Sequence, residues 1–573
     1  MRTLEEIANI NTSVEGWRQE LTGLRKAKPM VTFYRNKADG SPGLEYYGRV
    51  DYKDAIQASF PFKKNISTQG VIQLRFDHYI SEWLRTVPND PNQCKNIIIR
   101  VDFFRGKMRW TGLLHHWSIK MRDRVHFMEF TFNDDLQYLQ FLLGPPNPVL
   151  PIPIFQFPRV LPLIGPAKWC CSTMILLNLI RQEGNLWQLP DDPFDLAQWF
   201  SVLPTEWRNW QVHIKANPLP FDDSSLWTII ATRMNPIDSV IADALEDAQL
   251  TLRYRRVFTD EGENETGILF VDRPANGALV FEITDDSAYH DSLNGTFLGG
   301  TIVQGFFRSV IQYLGGFIED TAVSVLDNES LYPDEYYGPG FLNTLPVAPW
   351  LVFRDSTYSP MQTSELTWSP ATARSVIVGG DNPAADATVK VLIETIGNIA
   401  GYFLLGGFSS LGSIISSIVM PFLVGTIFAW LEWKNVGRAR NLGWAHLWEL
   451  YQQGAENNSW SLSAIAAMRG GFLASRSETS HTVSLNSDHW SLPGWHYQVG
   501  TRVGTTCRGI PNFVRVAQVE EFIPSWGGDD DKALDFQVKI GQSKASMSTG
   551  ERLARVVKRA KDALSNLGCS FVV

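Results

Sequence analysis

The sequence predicts a multidomain α+β protein. Two small antiparallel β-barrel or sandwich domains flank a helical and mixed α/β middle, joined by an apolar helical hairpin and a C-terminal amphipathic helix. Three observations predict this class. The 573 residues are too many for one hydrophobic core. Short runs rich in β-branched and aromatic residues, separated by turn signals, fill residues 30–143 and return at 481–541. Between Thr395 and Leu431 no side chain is charged, in a chain that otherwise has an ordinary globular composition.

The first domain spans 1–143. "MRTLEEIANINTSVEGWRQEL" has no apolar signal core and reads as a short amphipathic helix with Leu4, Ile7, Ile10 and Trp17 on its apolar side. After it, "MVTFYR", "LEYYGRV", "GVIQLRF", "NIIIRVDFFRG", "KMRWTGLLHHWSI" and "RVHFMEFTF" read as the strands of a small barrel or sandwich. Residues 144–159, "GPPNPVLPIPIFQFPR", hold six prolines, which exclude a helix or a central strand. They form a stiff connector, with Val149, Ile152, Ile154 and Phe157 laid against protein.

Residues 160–255 read as helical and Trp-rich. A helix is expected from Trp169 to Arg181, and a second over "DSSLWTIIATRMNPIDSVIADALEDAQLTLRYRR", capped by Asp223, Ser224 or Ser225 and broken at Pro236. Trp187, Trp199, Trp207 and Trp210 make a small aromatic core or a sugar-stacking set, the core being the plainer reading. Residues 256–385 are mixed, with "TGILFVDRP", "GALVFEI" and "WLVFRD" as strands and "TIVQGFFRSVIQYLGGFI" as a helix. Residues 386–475 hold the apolar hairpin and further helices in "ARNLGWAHLWELYQQG" and "SLSAIAAMRGGFLASR". Residues 476–545 form the second β-barrel domain, with strands "HTVSL", "HYQVGTRVG", "FVRVAQVEEFI" and "ALDFQVKIG". Residues 546–573 form the last helix. Ser548 and Glu551 have capping-box spacing, Gly568 ends it, and Leu553, Val556, Val557 and Leu564 lie on an apolar stripe suited to docking on a neighbouring subunit.

No catalytic signature emerges, and neither an enzymatic role nor a cofactor is expected. The chain has no HExxH, GxSxG, P-loop or GxGxxG in a strand-to-helix setting. Its five cysteines, Cys94, Cys170, Cys171, Cys507 and Cys569, have no metal or disulfide spacing. His115 and His116 are adjacent on a strand and point to opposite faces, so no metal site is expected there. "GGDDDKALD" lacks the ligand pattern of a calcium loop and reads as a solvated turn. A net charge of -9 argues against general nucleic-acid binding.

The uncharged run is long enough for one span and short for two. Its dense Gly and Ser, and Pro421 inside its second half, favour a helical hairpin from about Ala387 to Leu405 and from about Leu411 to Trp430. Helices apolar on every side are buried in something, and small residues let such helices approach closely. The side chains expected to carry this contact are Phe403, Leu404, Leu405, Ile414, Ile415, Ile418, Val419, Phe422, Leu423, Phe428 and Trp430. Burial by protein is the preferred reading; the aromatic end "FAWLEW" keeps membrane contact open.

The tract "GRARNLGWAHLWELYQQGAENNSWSLSAIAAMRGGFLASRSETSHTVSL", then "LPGWHYQVGTRVG" and "KIGQSKASMSTGERLARVVKRAKDAL", resembles the minor tail proteins of actinobacteriophages, the ReqiPepy6 Gp37-like siphovirus group. "VDFFRGKMRWTGLLHHWSI" is similar to the first domain of a phage baseplate hub. One departure is Thr501, where relatives often carry an acidic residue. The resemblance implies a structural protein of the virion, a homotrimeric baseplate hub at the tail tip, made in the host cytoplasm. Two barrel domains per chain would give a ring of six that matches a threefold tip to a sixfold tube. The implied partners are the distal tail protein, the tape-measure protein, other minor tail proteins and, during infection, the host envelope. The hub would close the lumen until DNA ejection. The alternatives are a tail-associated cell-wall hydrolase and a membrane-inserting tip protein.

Overall fold

The computed structural model describes residues 4–91, 93–148, 161–183, 207–216, 223, 225, 227–269, 271, 273–286, 322–324, 349–355, 361–379, 430–452, 471, 475, 477–485, 491–508, 513–527 and 534–541. The fold is mixed α+β and mostly sheet. The expected strands at both ends of the chain are present, except that "HYQVGTRVG" is strand only from Arg502; the two separate barrels are not present. One antiparallel path runs Met361–Ser369, Glu478–Leu485, Asp535–Ile540, Phe513–Gly527, Ala55–Ser59, Gln69–Arg75, Val125–Asp134, Met108–Arg122, Ile97–Phe103, Met30–Asn36, Leu44–Val50. Among the described residues it does not close on itself. The modules merge where Ser525, Trp526 and Gly527 pair with Ser59, Ala58 and Gln57. Each module alone would leave an open edge at that seam; joining them satisfies both edges.

Burial patterns explain the order. Ile97–Phe103 is buried at every position, as a strand covered on both faces should be. Met108–Arg122 is buried at its start and exposed towards its end, where it outruns Ile97–Phe103 and continues as a ribbon with Val125–Asp134. Asp123 and Arg124 turn that ribbon with φ of 50° and 68°, the conformation of a tight two-residue hairpin loop. At the far edge, Leu44–Val50 is blocked: Asn276 takes both backbone groups of Leu44, and the Tyr79 hydroxyl meets both backbone groups of Arg49.

The first helix, Leu4–Lys26, is longer than expected. It anchors through Leu21 and Leu24, while Trp17, expected on the apolar side with Leu4, Ile7 and Ile10, is 42% exposed. The end of the helix meets the Phe104–Gly106 turn, where Gly23 lies beside Arg105.

In the middle, the expected helix at 169–181 is present as Ala167–Glu183. The second expected helix is corrected. Trp227–Thr232 and Leu250–Val257 are strands, and only Ile237–Asp247, entered through Pro236, is helical. β-branched "TII" and the alternation of "LTLRYRRV" outweigh the helical-looking composition. Asp223 and Ser225 do cap a helix, but the preceding one: Trp169 N donates to Asp223 at 2.8 Å and Lys168 N donates to Ser225 at 3.0 Å. Both helices pack on the sheet Val212–Lys215, Ala278–Asp285, Leu250–Val257 around a core that includes Cys170, Cys171 and Trp210. "GALVFEI" is strand as part of Ala278–Asp285, and "WLVFRD" is strand only at Val352–Phe353; the described residues of "TGILFVDRP" are not strand.

A further sheet holds Trp430–Lys434, Ala373–Gly379 and Leu447–Gln452. The helix expected over "ARNLGWAHLWELYQQG" is therefore limited to Val436–Leu442, and the part from Leu447 is strand, pairing in parallel with Ala373–Gly379. Gly443, at φ 79°, ends the helix before the 3.6-residue pattern is exhausted. The connector 149–159, Trp187, Trp199, the tract at 301–318, the loop at 528–533, nearly all of the uncharged run and the last helix lie outside the described residues.

Candidate functional site

The site most strongly built by this sequence is a buried junction rather than a cleft. It lies where the first β module meets the middle of the chain. Arg256 projects inward from Leu250–Val257 and is 1% exposed; Asp135, just past Val125–Asp134, is fully buried. They form a bidentate pair, with Nη2 and Nε of Arg256 at 2.7 and 2.8 Å from the two carboxylate oxygens. Arg256 also donates to the Gly277 carbonyl at 2.9 Å and the Tyr138 hydroxyl at 3.2 Å, and Thr111 donates to Asp135. Burial opposes the charge of Arg256, but Asp135 more than offsets it and raises its pKa.

A second ladder lies beside the first. Arg100 donates to Asp102 at 2.6 Å and to Glu261 at 2.7 Å. Arg109 donates to the other Asp102 oxygen at 2.7 Å and grips both oxygens of Glu263 at 2.7 and 2.9 Å. Phe258 sits among them, stacked on Tyr34 at 4.3 Å, with the guanidinium groups of Arg100 and Arg109 at 4.6 and 5.6 Å from its ring centre. Burial pushes the Glu263 carboxyl up, but hydrogen bonds and charge from Arg109 outweigh it and hold the group at about 2.

The turn before Gln69–Arg75 ties three parts of the chain together. Lys64 donates to Gln518 of the C-terminal module, and Gln518 donates to the backbone of Gln249 and Asp286. Asn65 bonds the Leu250 carbonyl and the Leu252 N–H at 3.0 and 2.8 Å. Two glycines of "LPGWHYQVGTRVG" permit the close approach. A Cβ on Gly500 (φ 91°) would lie 1.8 Å from the Thr251 hydroxyl oxygen, and one on Gly494 (φ 80°) 2.5 Å from Met108 Cβ. At the neighbouring Asp134, burial lifts the carboxyl to about 6, against hydrogen bonds from Ser67 and Thr68.

The described residues contain no His, Cys, Asp and Glu group able to hold a metal ion. The two histidines do differ from expectation: a register slip between Leu114 and His116 brings their rings within 5.1 Å, where regular pleating would separate them. Burial raises the thiols of Cys170 and Cys171 and drops His213 to about 4, as inert core groups. Trp207 and Trp210 stack at 4.5 Å over that same core.

Of the apolar contact residues expected from the sequence, Phe403, Leu404, Leu405, Ile414, Ile415, Ile418, Val419, Phe422, Leu423 and Phe428 lie outside the described residues, as do Leu553, Val556, Val557 and Leu564. Only the backbone of Trp430 is placed. It pairs with Gly379, so residues 380–429 begin and end side by side. Among the described residues no helix is long and apolar enough to cross a membrane. The sheet at that point carries exposed tryptophans the sequence reading missed, Trp433 at 45% and Trp448 at 69%, and Trp444 in the turn before it is 98% exposed. Their helix-like spacing concealed a strand.

The family model described as Siphovirus ReqiPepy6 Gp37-like protein matches residues 41–542. The chain belongs to this family. Minor tail protein Gp28 of Mycobacterium phage L5 is similar, 28% identical over 560 residues, covering 88% of this chain and 90% of that one. The Gp28 of Mycobacterium phage D29 matches equally, at 28% over the same shares. This Gp37-like chain is thus a tail protein of a long-tailed phage. Among solved structures, a tail protein from Neisseria meningitidis MC58 aligns at a TM-score of 0.39 and 8% identity, covering 94% of this chain and 99% of that one. Prophage tail protein gp18 from Listeria monocytogenes EGD-e aligns at 0.36 and 10%, covering 93% and 100%.

Two outcomes test the junction. Arg256→Met strands a buried carboxylate and should destabilise the fold by about 3–5 kcal/mol, whereas pairing it with Asp135→Leu should recover most of that loss, read from denaturant midpoints. Glu263 is depressed on folding, so its contribution is present above its ordinary 4.5 and lost as the pH falls towards about 2. Glu263→Gln should flatten the stability–pH curve across that window and leave its shape above it unchanged.

Proposed function

We propose that this Gp37-like tail protein is a baseplate hub at the tail tip. It joins the tail tube and the distal tail protein to the tip and holds the lumen closed until DNA ejection. It acts as a homotrimer, without catalysis, beside the tape-measure protein and other minor tail proteins, and meets the host envelope during infection. The observation that carries the reading is the seam at Ser525–Gly527, by which one chain presents two β modules in a single sheet. Three such chains supply six modules around one axis, which is what matching a threefold tip to a sixfold tube requires.

In this reading the boundaries 1–143, 144–159, 160–255, 256–385, 386–475, 476–545 and 546–573 mark successive functional pieces. The two modules build the ring. The uncharged run and the Leu553, Val556, Val557 and Leu564 stripe bring copies together, the first near the threefold axis. Native mass spectrometry of the purified chain should give three times the chain mass. A monomer at micromolar concentration, with the same result for a variant carrying Leu553→Asp and Val557→Asp, would remove the trimer from the account.

A further inference from the structure

The first helix, Leu4–Lys26, is anchored at one end and open along the rest. Leu21 and Leu24 are buried in the core of the first module. Every residue from Thr12 to Glu20 is exposed. Val14 and Trp17 lie on the same stripe as the two leucines, at steps of 3, 4 and 3 residues, yet they are 40% and 42% exposed. One apolar stripe is thus used by its own chain at one end and left in water along its middle.

The open stretch is a weak helix by itself. Gly16 interrupts it, with nothing within 4 Å of where its Cβ would lie. Thr12, Ser13 and Val14 just before it are modest helix formers. A helix of this kind owes its persistence in water to packing rather than to propensity.

The spacing says what packs there. Continued towards the N-terminus, the stripe runs Ile7, Ile10, Val14, Trp17, Leu21, Leu24, at steps of 3, 4, 3, 4 and 3. That is the a and d pattern of a helix wound on another helix, whereas a helix laid on a sheet carries a broader stripe of period 3.6. Isoleucine at both a and d, here Ile7 and Ile10, favours three strands over two. In a parallel bundle, position g of one helix faces position e of the next. Glu20 at g then meets Arg25 of the partner subunit at e. The remaining pairs, Glu6 with Asn11 and Ser13 with Arg18, set no like charges together. Copies related by one rotation axis are parallel, because each helix enters its own module at the same end, through Leu21 and Leu24. A lipid surface fits less well. Between Leu4 and Glu20 the charged positions are Glu5, Glu6, Glu15 and Glu20 against Arg18 alone, the wrong sign for an anionic membrane.

We propose that residues 4–20 of three copies of this chain wind into a short parallel coiled coil, with Ile7, Ile10, Val14 and Trp17 at its seam. The proposal rests on the homotrimer stated above and names a contact that holds it together. Leu21 and Leu24 stay in the core of their own chain and fix the direction in which each helix leaves it. The seam from Ile7 to Trp17 is about 15 Å long at about 1.5 Å per residue.

The test uses the full chain with one added cysteine, Val14→Cys on the seam or Gln19→Cys on the opposite face, under mild oxidation. Wild type sets the background from its exposed Cys94, and native mass spectrometry counts the copies. Val14→Cys should form disulfide-linked dimers at least about tenfold faster than Gln19→Cys, because only the seam holds its side chains together. Equal rates in a trimeric chain would overturn the coiled coil and leave the trimer standing; a monomeric wild type would overturn both. A second variant, Ile7→Asp with Val14→Asp, buries two charges in the seam and should raise the concentration at which the trimer dissociates by at least about tenfold. An unchanged dissociation concentration would overturn the proposal. So would flotation of wild type, and not of this variant, with phosphatidylglycerol vesicles, which would give the helix to a lipid surface.

Discussion

The arrangement depends on one buried ion pair. Arg256 and Asp135 come from segments far apart in sequence, one in the middle of the chain and one at the end of the first β module. A paired charge in such a place contributes little by comparison with an apolar pair, but a mispaired one is strongly destabilising. Its effect is therefore on specificity: the middle of the chain has one position against the first sheet in which the guanidinium is satisfied. The Arg100, Arg109, Phe258, Glu261 and Glu263 ladder extends that constraint, and the Lys64, Asn65 and Gln518 contacts carry it to the C-terminal module.

That chain of constraints explains why two modules separated by hundreds of residues form one sheet. The seam itself is short: three residue pairs between Ala55–Ser59 and Phe513–Gly527, continued by Phe62 and Lys63 against Phe522 and Glu521. It is backed by Trp526 packing among Phe60, Phe103 and Tyr52 in the core of the first module. The seam between the two modules is filled with aromatic rings rather than left as an open hinge.

Much of this was legible in the sequence. Period-two alternation and β-branched runs located the strands of both modules, and continuous burial of "IIIRVDF" follows from its lack of polar alternation. The errors have physical causes. "GWAHLWELY" has apolar residues at helical spacing, yet Gly443 stops the helix and the pairing of Leu447–Gln452 with Ala373–Gly379 decides the rest. "SSLWTII" was capped by the right residues for the wrong helix, because a cap can be supplied from a distant segment. The junction was not visible in the sequence at all, since nothing local joins Arg256 to Asp135. A faint signal existed: in "LTLRYRRV" the inward period holds Leu250, Leu252, Tyr254 and Arg256, and an inward arginine requires a buried acid.

Family membership settles the class of protein, and the merged sheet gives that class a mechanical meaning. The central claim is that three copies build one ring at the tail tip from six β modules. Cryo-electron microscopy of the intact virion tests it most directly. The account predicts three copies at the tip, each placing residues 30–143 and 481–541 in the same ring around the lumen. Finding the chain elsewhere on the tail, or with its two β modules in different layers, would contradict it.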